Sequence, residues 1–407
     1  MSREVPSGWK LAKLYELATM KAGGTPARDK IQYYNGDIPW LKSGEINRGR
    51  IWATEETITE KGLAESSAKL IPAGTPVVAM YGATAGVVGF LEIEAAINQA
   101  VLAVQPTGGL LDAGFCLHML SYKAVDLLSL TQGSGQPNLS KALIENLEVS
   151  LPPLHEQRRI AEILSSVDEA IAATRAVIEQ TRKVKQASLG ALFHRGNWTD
   201  EELPAGHRLT SLEDIARRGS GHTPSKKFSE YWNGGVAWVS LQDTKALDRR
   251  HVNNTAANIS DLGVKNSSAE VHPAGTVFVS RDATVGKVGI MQNPMAVSQH
   301  FIAWTCGPRL DNLFLYYWLL NMKLVFERIA AGSTIKTIGL GFFKELQIAL
   351  PDMAIQKRIA SQMMAIDDAL DQSEASLDEL KALKSALMSD LLTGRKRVTD
   401  ALPLAAE

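Results

Sequence analysis

Leu151-Pro152-Pro153-Leu154-His155-Glu156-Gln157-Arg158-Arg159-Ile160-Ala161 is answered, about 200 residues later, by Leu350-Pro351-Asp352-Met353-Ala354-Ile355-Gln356-Lys357-Arg358-Ile359-Ala360. In both places a short β-rich run meets proline and a long apolar periodicity begins. Proline is tolerated in the first helical turn, where its missing N–H has no bond to lose, so each junction predicts a helix start. From there apolar and small positions alternate at spacings of four and three. One stripe runs Ile160, Leu164, Val167, Ile171, Thr174, Ile178, Thr181, Lys185, Ser188 and Leu192. The other runs Ile359, Met363, Ile366, Leu370, Ser373, Leu377, Leu380, Lys384, Leu387 and Leu391. That alternation is a coiled-coil seam, because it keeps one stripe facing a partner as two helices supercoil. Gly196 and Gly394 stand where each helix can end. At roughly 40 residues each helix is about 60 Å long. The alternative is a pair of helices lying on their own lobes, but five heptads outrun what lobes of this size can cover. The helices are therefore expected to pair antiparallel through Ile160, Leu164, Val167, Ile171 and Ile178 of the first and Ile359, Met363, Ile366, Leu370 and Leu377 of the second. That would place two lobes at opposite ends of a rigid spacer, related by a pseudo-twofold axis.

The rest of the chain is duplicated too. Pro6-Ser7-Gly8-Trp9-Lys10-Leu11 is matched by Pro204-Ala205-Gly206-His207-Arg208-Leu209, and Gly24-Thr25-Pro26 by His222-Thr223-Pro224. Tyr33-Tyr34-Asn35-Gly36 through Trp40 returns as Tyr231-Trp232-Asn233-Gly234 through Trp238. Ala83-Thr84-Ala85-Gly86 returns as Ala283-Thr284-Val285-Gly286, and Gln99 as Gln299. Within each lobe, runs bounded by Gly and Pro predict short strands: Ile38–Leu41, Pro76–Met80, Val87–Leu91 and Val101–Val104, then a helix at Leu111–Leu130 and a strand near Glu148–Leu151. The second copy predicts Val236–Ser240, Thr276–Ser280, Val288–Met291, Ile302–Thr305, a helix near Asp311–Ala331, and Leu346–Leu350. The expected fold is α+β: two similar mixed α/β lobes, 1–151 and 197–350, spacer helices at 152–196 and 351–394, and a tail at 395–407.

Composition excludes little, but narrows the class. The chain has 407 residues, 45% hydrophobic and 21% charged, which describes well-packed domains rather than disorder. Cys116 and Cys306 form no CxxC pair, so a disulfide framework or zinc cluster is not expected and a reducing cytoplasm fits. The polar N-terminus carries no secretory signal. Leu70 to Leu91 is uncharged, yet Pro72, Pro76 and four glycines suit turns between strands better than a membrane span. The net charge of −1 gives no global sign of nucleic-acid binding, which needs only a local basic face.

No catalytic set emerges. Asn293-Pro294-Met295 and Leu151-Pro152-Pro153-Leu154 lack the side chains of an adenine methyltransferase segment, Asn/Asp-Pro-Pro-aromatic. Gly286-Lys287 is followed by Val288 and preceded by Arg281 where a P-loop needs its first glycine. The eight histidines show no HExxH spacing. The chain is expected not to be an enzyme, and neither a metal nor a cofactor of its own is expected.

Binding signals are local. Lys21, Arg28, Lys30, Lys42, Arg48 and Arg50 interleave with Tyr33, Tyr34, Trp40 and Trp52. Arg217, Arg218, Lys226, Lys227, Lys245, Arg249 and Arg250 do so with Tyr231, Trp232 and Trp238, with Gln242 among them. Cations among aromatics suit phosphate contact and base stacking, or else an ordinary solvated rim. Trp40 and Trp238 read as core. The loops 80–87 and 280–287 share Ala-Thr-x-Gly but differ before it: Tyr81 in one, Arg281 in the other, with Thr84, Thr284 and Lys287 beside them. Such loops are either hairpin turns or two readers, Arg281 suiting guanine and Tyr81 a thymine methyl or phosphate. Gln136 and Lys336 lie in a second pair of polar loops.

Two lobes carrying Thr-Pro…Tyr-x-Asn-Gly…Trp and Ala-Thr-x-Gly, each ending in Leu-Pro-Pro-Leu-x-Glu-Gln-Arg-Arg-Ile-Ala or its variant, resemble the specificity subunit of type I restriction-modification systems over nearly the whole chain. The second copy departs from the pattern at Asp352 and Ala354, lacking the second proline and the glutamate. The resemblance implies two target-recognition domains that read a bipartite, asymmetric sequence in double-stranded DNA, with the helices fixing the unread gap. It implies two methyltransferase (modification) subunits carrying S-adenosylmethionine and methylating adenine, restriction (motor-nuclease) subunits, and no membrane. A 60 Å spacer equals roughly 18 base pairs, so lobes of finite width would centre on half-sites about one turn apart. The alternative is a coiled-coil scaffold whose lobes bind proteins without sequence-specific DNA contact.

Overall fold

The structure, a computed structural model, describes residues 5–129, 138–193, 203–331 and 337–398. The chain forms two compact units, Met1–Arg175 with Ala375–Glu407, and Ala176–Glu374. The division falls inside the long helices rather than at the lobe edges, so each unit holds one lobe, the start of one helix and the end of the other.

In the first lobe a five-stranded sheet has the order Ala18–Ala22, Val101–Pro106, Thr75–Ala79, Val88–Leu91, Arg50–Ile51. A four-stranded sheet runs Glu56–Ile58, Tyr34–Leu41, Ala95–Ile97, Lys69–Ile71. Lys10–Lys13 pairs antiparallel with Glu148–Leu151. Val101 to Val104 and Val77 to Ala79 are buried on both faces, which explains why these runs read as continuously apolar rather than alternating. The helix Ala113–Ser129 covers the larger sheet, and Asp112 Oδ1 accepts the Phe115 amide at its start (2.9 Å). The uncharged stretch from Leu70 to Leu91 folds into strands and turns, and no described helix is long and apolar enough to cross a membrane.

The second lobe repeats this order. Its sheets run Ala216–Ser220, Phe301–Cys306, Val277–Ser280, Val288–Met291, His251–Val252 and Ala257–Ile259, Trp232–Val239, Met295–Val297, Val271–His272, with Arg208–Ser211 pairing Gln347–Leu350. The single helix expected near Asp311–Ala331 is two, Asn312–Asn321 and Lys323–Ala330. They meet where the buried Asn321 side chain donates to the Phe193 carbonyl (2.5 Å) and Met322 tightens to φ −75°, ψ −6°.

The long helices, or arms, are Leu154–Leu192 and Met353–Leu391, 39 residues each. Every position of both sequence stripes is buried or half-buried. At their roots the arms complete their own lobes' cores: Ile160 and Leu164 pack with Phe115 and Ile144, and Ile359 and Met363 with Phe314 and Phe343. Beyond the roots they pair antiparallel. Asp168 meets Lys384 at 2.5 Å in one unit, and Lys185 meets Asp367 at 2.6 Å in the other, where Arg182 also reaches Glu374 at 2.7 Å. Asp168 and Asp367 are the same position of the repeat, as are Lys185 and Lys384. Partly exposed ion pairs add little stability but fix register. Leu391 and Leu392, together with Val398 from the segment read as a tail, close the first lobe's core.

The junction motif has a structural reason. Gln157, 1% exposed, accepts the Asp112 amide (2.8 Å) and donates to the Leu110 and Pro152 carbonyls (3.0 and 2.9 Å). Gln356 does the same with Asp311, Arg309 and Pro351 (2.9, 3.0 and 2.9 Å). This superposition makes Ile355, not Ala354, the counterpart of Glu156. Asp352 accepts the Ile355 amide (2.9 Å), so a capping carboxylate serves where the first arm has Pro153.

Candidate nucleic-acid interface

Both lobes build the same frame. Trp40 is buried and donates Nε1–H to the Gly24 carbonyl (3.2 Å); Trp238 donates to that of His222 (3.0 Å). Both tryptophans are core residues. Thr25 Oγ1 donates to Gln99 Oε1, and Thr223 Oγ1 donates to Gln299 Oε1. Tyr34 stands edge-on to Trp40 at 6.1 Å, and Trp232 to Trp238 at 5.1 Å.

On this frame the first lobe places an ionic cluster. Arg28 lies over the rings of Tyr34 (4.7 Å) and Trp40 (5.0 Å) and pairs with Glu56 (2.6 Å), which Lys42 also reaches (2.8 Å). Arg28 and then Lys42 hold the Glu56 carboxyl below the usual range, and Glu56 raises both cations. Three of the other cations are also engaged. Arg48 pairs with Glu55 (2.9 Å) and Glu45 (3.6 Å), Arg50 pairs with Glu92 and lies against Phe90, and Lys30 donates to the Tyr33 hydroxyl (2.8 Å). Tyr33 itself is 1% exposed, with its hydroxyl on Glu65. The expected open basic face is therefore replaced by paired charges at Arg28, Lys42, Arg48 and Arg50, and Tyr33 is a core residue, because five acids, Glu45, Glu55, Glu56, Glu65 and Glu92, fold in among them.

The second lobe leaves the corresponding space open. A groove of about 620 Å³ is lined by Thr223, Lys226, Trp232, Trp238, Gln242 and His300, among others, and no carboxylate lines it. Glu56 has become Ala257 and Lys42 has become Ser240, as the matched pairing of Trp40 with Glu56 and Trp238 with Ala257 shows. Lys226, Lys227 and Arg249 are exposed and make no ion pair among the described residues. Gln242 is exposed beside them. Tyr231 packs on Phe228 (5.0 Å), away from this set. Arg250 is a root residue: it donates to the Tyr317 hydroxyl (3.1 Å) and pairs with Asp368 on the second arm (3.0 Å).

The loops 80–87 and 280–287 sit beside the grooves. Gly86 and Gly286 have φ of 80° and 83°, and a Cβ there would lie 2.8 Å from Leu128 Cδ1 and 2.9 Å from Lys323 Cγ, so the shared glycine lets the loop lie on the lobe helix. Tyr81 is 41% exposed and bridges Asn138; Thr84 is half-buried and Thr284 exposed. Arg281 spends Nε on the Ile338 carbonyl (2.9 Å), and Lys287 is half-buried. Asp282, by contrast, holds His300 Nδ1 at 2.7 Å, a pair that sequence reading missed although both positions differ from Gly82 and Ala100 of the other copy. Gln136 and Lys336 lie outside the described residues. The structure brings together Lys226, Gln242 and the aromatic wall; it does not gather the candidates of the first lobe into one free surface.

Two lobes that keep one buried frame and change its rim, each rooted on a coiled-coil arm, define a duplicated reader of an extended ligand. The family described as "Type I restriction modification DNA specificity domain" matches residues 6–181 and again 207–382, and the chain belongs to it. Over 412 residues it is 23% identical to the "Type I restriction enzyme MjaVIII specificity subunit" of Methanocaldococcus jannaschii, covering 97% of this chain and 94% of that one. Solved structures share the fold. A type I restriction-modification S subunit from M. genitalium matches with a TM-score of 0.60 at 16% identity, over 98% and 99% of the two chains. A chain from work on "complex assembly" and "conformational transition of the type I R-M system" matches at 0.63 and 18%, over 97% and 100%.

Proposed function

We propose that this chain is the DNA sequence-recognition subunit of a type I restriction-modification complex. Each lobe reads one part of a bipartite, asymmetric site in double-stranded DNA. The observation that carries this is the pairing of one invariant frame with two rims: Thr25–Gln99 and Thr223–Gln299 hold the same geometry, while Arg28, Lys42 and Glu56 face Lys226, Ser240 and Ala257 across the repeat. Two readers of different words need that arrangement. The chain seats two methyltransferase subunits, which bring S-adenosylmethionine and methylate adenine, and restriction subunits join through them. It contributes no catalytic group and no cofactor, and works in the cytoplasm, where two free cysteines are at home.

Methylation mapping on DNA treated with the chain assembled with its methyltransferase subunits tests this. The expected result is one bipartite word, with exchange of residues 1–151 for another lobe changing only one half. Methylation without sequence preference, or both halves changing together, would sink the reading.

A further inference from the structure

The groove of the second lobe is the least explained feature of the molecule. Its floor is aromatic and its rim polar, and most of its polar side chains hold one another. Asp243, the nearest carboxylate in sequence, is turned inward: it accepts the amides of Ser240 (2.8 Å) and Ala256 (2.6 Å) and the Ser240 hydroxyl (3.1 Å). Gln299 is held by Thr223, and His300 by Asp282. Gln299 Nε2 lies 3.4 Å from the other imidazole nitrogen, His300 Nε2. Gln242 remains. Its side-chain amide is exposed, lines the groove, and makes no hydrogen bond among the described residues. Beside it lie the apolar surfaces of Leu241, Ala257 and Trp232, and Lys226 stands on the rim.

We propose that this groove takes the major-groove edge of an A·T base pair and that Gln242 is the residue that specifies it, an assignment that rests on the DNA-reading function above. A glutamine amide presents one donor and one acceptor side by side, which matches adenine N7 and N6–H2. An apolar neighbour matches the thymine methyl, and the minor-groove edge offers no such pattern. Lys226 and Lys227, exposed and without an ion pair among the described residues, are placed for the flanking phosphates. The first lobe cannot do the same. Its counterpart of Gln242 is Gly44, and its counterpart of Ala257 is Glu56, paired with Arg28 and Lys42. The A·T contact therefore belongs to the second half-site alone.

The test uses the chain assembled with its methyltransferase subunits, with rates read on DNA libraries varied through the word found for the wild type. Gln242→Ala is expected to lower discrimination roughly ten- to a hundredfold at one A·T pair of the half-site assigned to the second lobe, leaving the first half-site unchanged. Gln242→Glu, which keeps the shape but removes the donor, should lose the preference for adenine at the same pair. The position is exposed, so both variants should melt with the wild type. If no A·T pair of that half-site responds, or if methylation falls evenly on all sequences, the groove assignment is overturned while the DNA-reading function stands. If the wild type itself shows no bipartite word, both fall.

Discussion

The two units differ least where they are buried and most where they are polar and exposed. Gln157 and Gln356 make the same three hydrogen bonds, Trp40 and Trp238 the same indole bond, and Asp168–Lys384 the same pair as Lys185–Asp367. Across the same frame, the first lobe neutralises Arg28, Lys42, Arg48 and Arg50 with its own acids, while the second leaves Lys226, Lys227 and Arg249 without an ion pair among the described residues. The roots differ as well. His118 and Asp168 in one unit stand where Tyr317 and Asp367 stand in the other, and the first lobe carries a charged clamp, Trp9–Glu156–Arg397, where the second has Ile355. Duplication thus preserved what backbone amides and carbonyls demand, and released the exposed rim together with the buried side-chain pairs at the roots.

The strongest way to break the likeness is to remove the amide that both copies share. Gln157→Ala would strand the Asp112 N–H and two carbonyls in a buried junction, costing about 3 kcal/mol at roughly 1 kcal/mol for each lost bond. Hydrogen exchange should then accelerate at the root of the first arm and not in Ala176–Glu374; Gln356→Ala should do the reverse. Equal acceleration in both units from either variant would show that the junctions do not act separately.

His118 offers a contrast in pH. It is 1% exposed, with Nε2 at 3.1 Å from Ser165 Oγ and Nδ1 at 3.9 Å from Asp168. Burial lowers its pKa to about 4; Asp168 opposes this, while Lys384 and Arg50 add to it. The unfolded chain takes up the proton near pH 6.5 and the folded unit only near 4, so stability is complete above 6.5 and falls on acidification through that window. The loss at the bottom of the window is about 3 kcal/mol. Burial and Asp367 push the Tyr317 phenol up, so the root of the second arm has no such titration, although burial also lowers the pKa of His272 in the second lobe's sheet. Hydrogen exchange at pH 7 and 4.5 should show acid loosening at the root of the first arm, around His118, and none at the root of the second, around Tyr317. His118→Tyr, copying the second unit, should reduce it; an unchanged loss would assign the acid sensitivity elsewhere.

The architecture was legible because it is periodic. The three-and-four stripe, the proline junctions and the repeat each constrain many residues at once, and the paired arms follow from them. The grooves were less legible because their chemistry is decided by pairing across strands distant in sequence. Arg28 meets Glu56 only when two strands lie side by side, and nothing local in Arg28-Asp29-Lys30 announces that its cation is already engaged. Counting cations therefore gave both lobes a basic rim, whereas in the first lobe Arg28, Lys42, Arg48 and Arg50 are paired with acids. The His300–Asp282 pair was hidden for the opposite reason. It lies where the copies disagree, and attention to agreement passed over it.

The clamp in the first unit gives the smallest expected effect and the finest comparison. Glu156 is 2% exposed and accepts from Trp9 Nε1 (3.0 Å) and from Arg397 Nε and Nη2 (2.7 and 2.8 Å). Burial pushes its carboxyl up, but Arg397 and then Trp9 outweigh it and hold it below the usual range. Arg397→Ala leaves that carboxylate without its cation. Because Arg397 is 33% exposed, water screens the pair, and the expected cost is about 2 kcal/mol rather than the larger loss of a fully buried pair. A depressed carboxyl contributes above its unfolded pKa and loses that contribution as pH falls through the lower folded value. The difference between wild type and Arg397→Ala should therefore shrink below about pH 4. Adding Glu156→Ile, which copies the second unit, should recover most of the loss at neutral pH, since an apolar side chain needs no counter-charge there. If the double variant is no more stable than Arg397→Ala, the arginine acts through its bond to the Ser7 carbonyl or its packing on Trp9 instead.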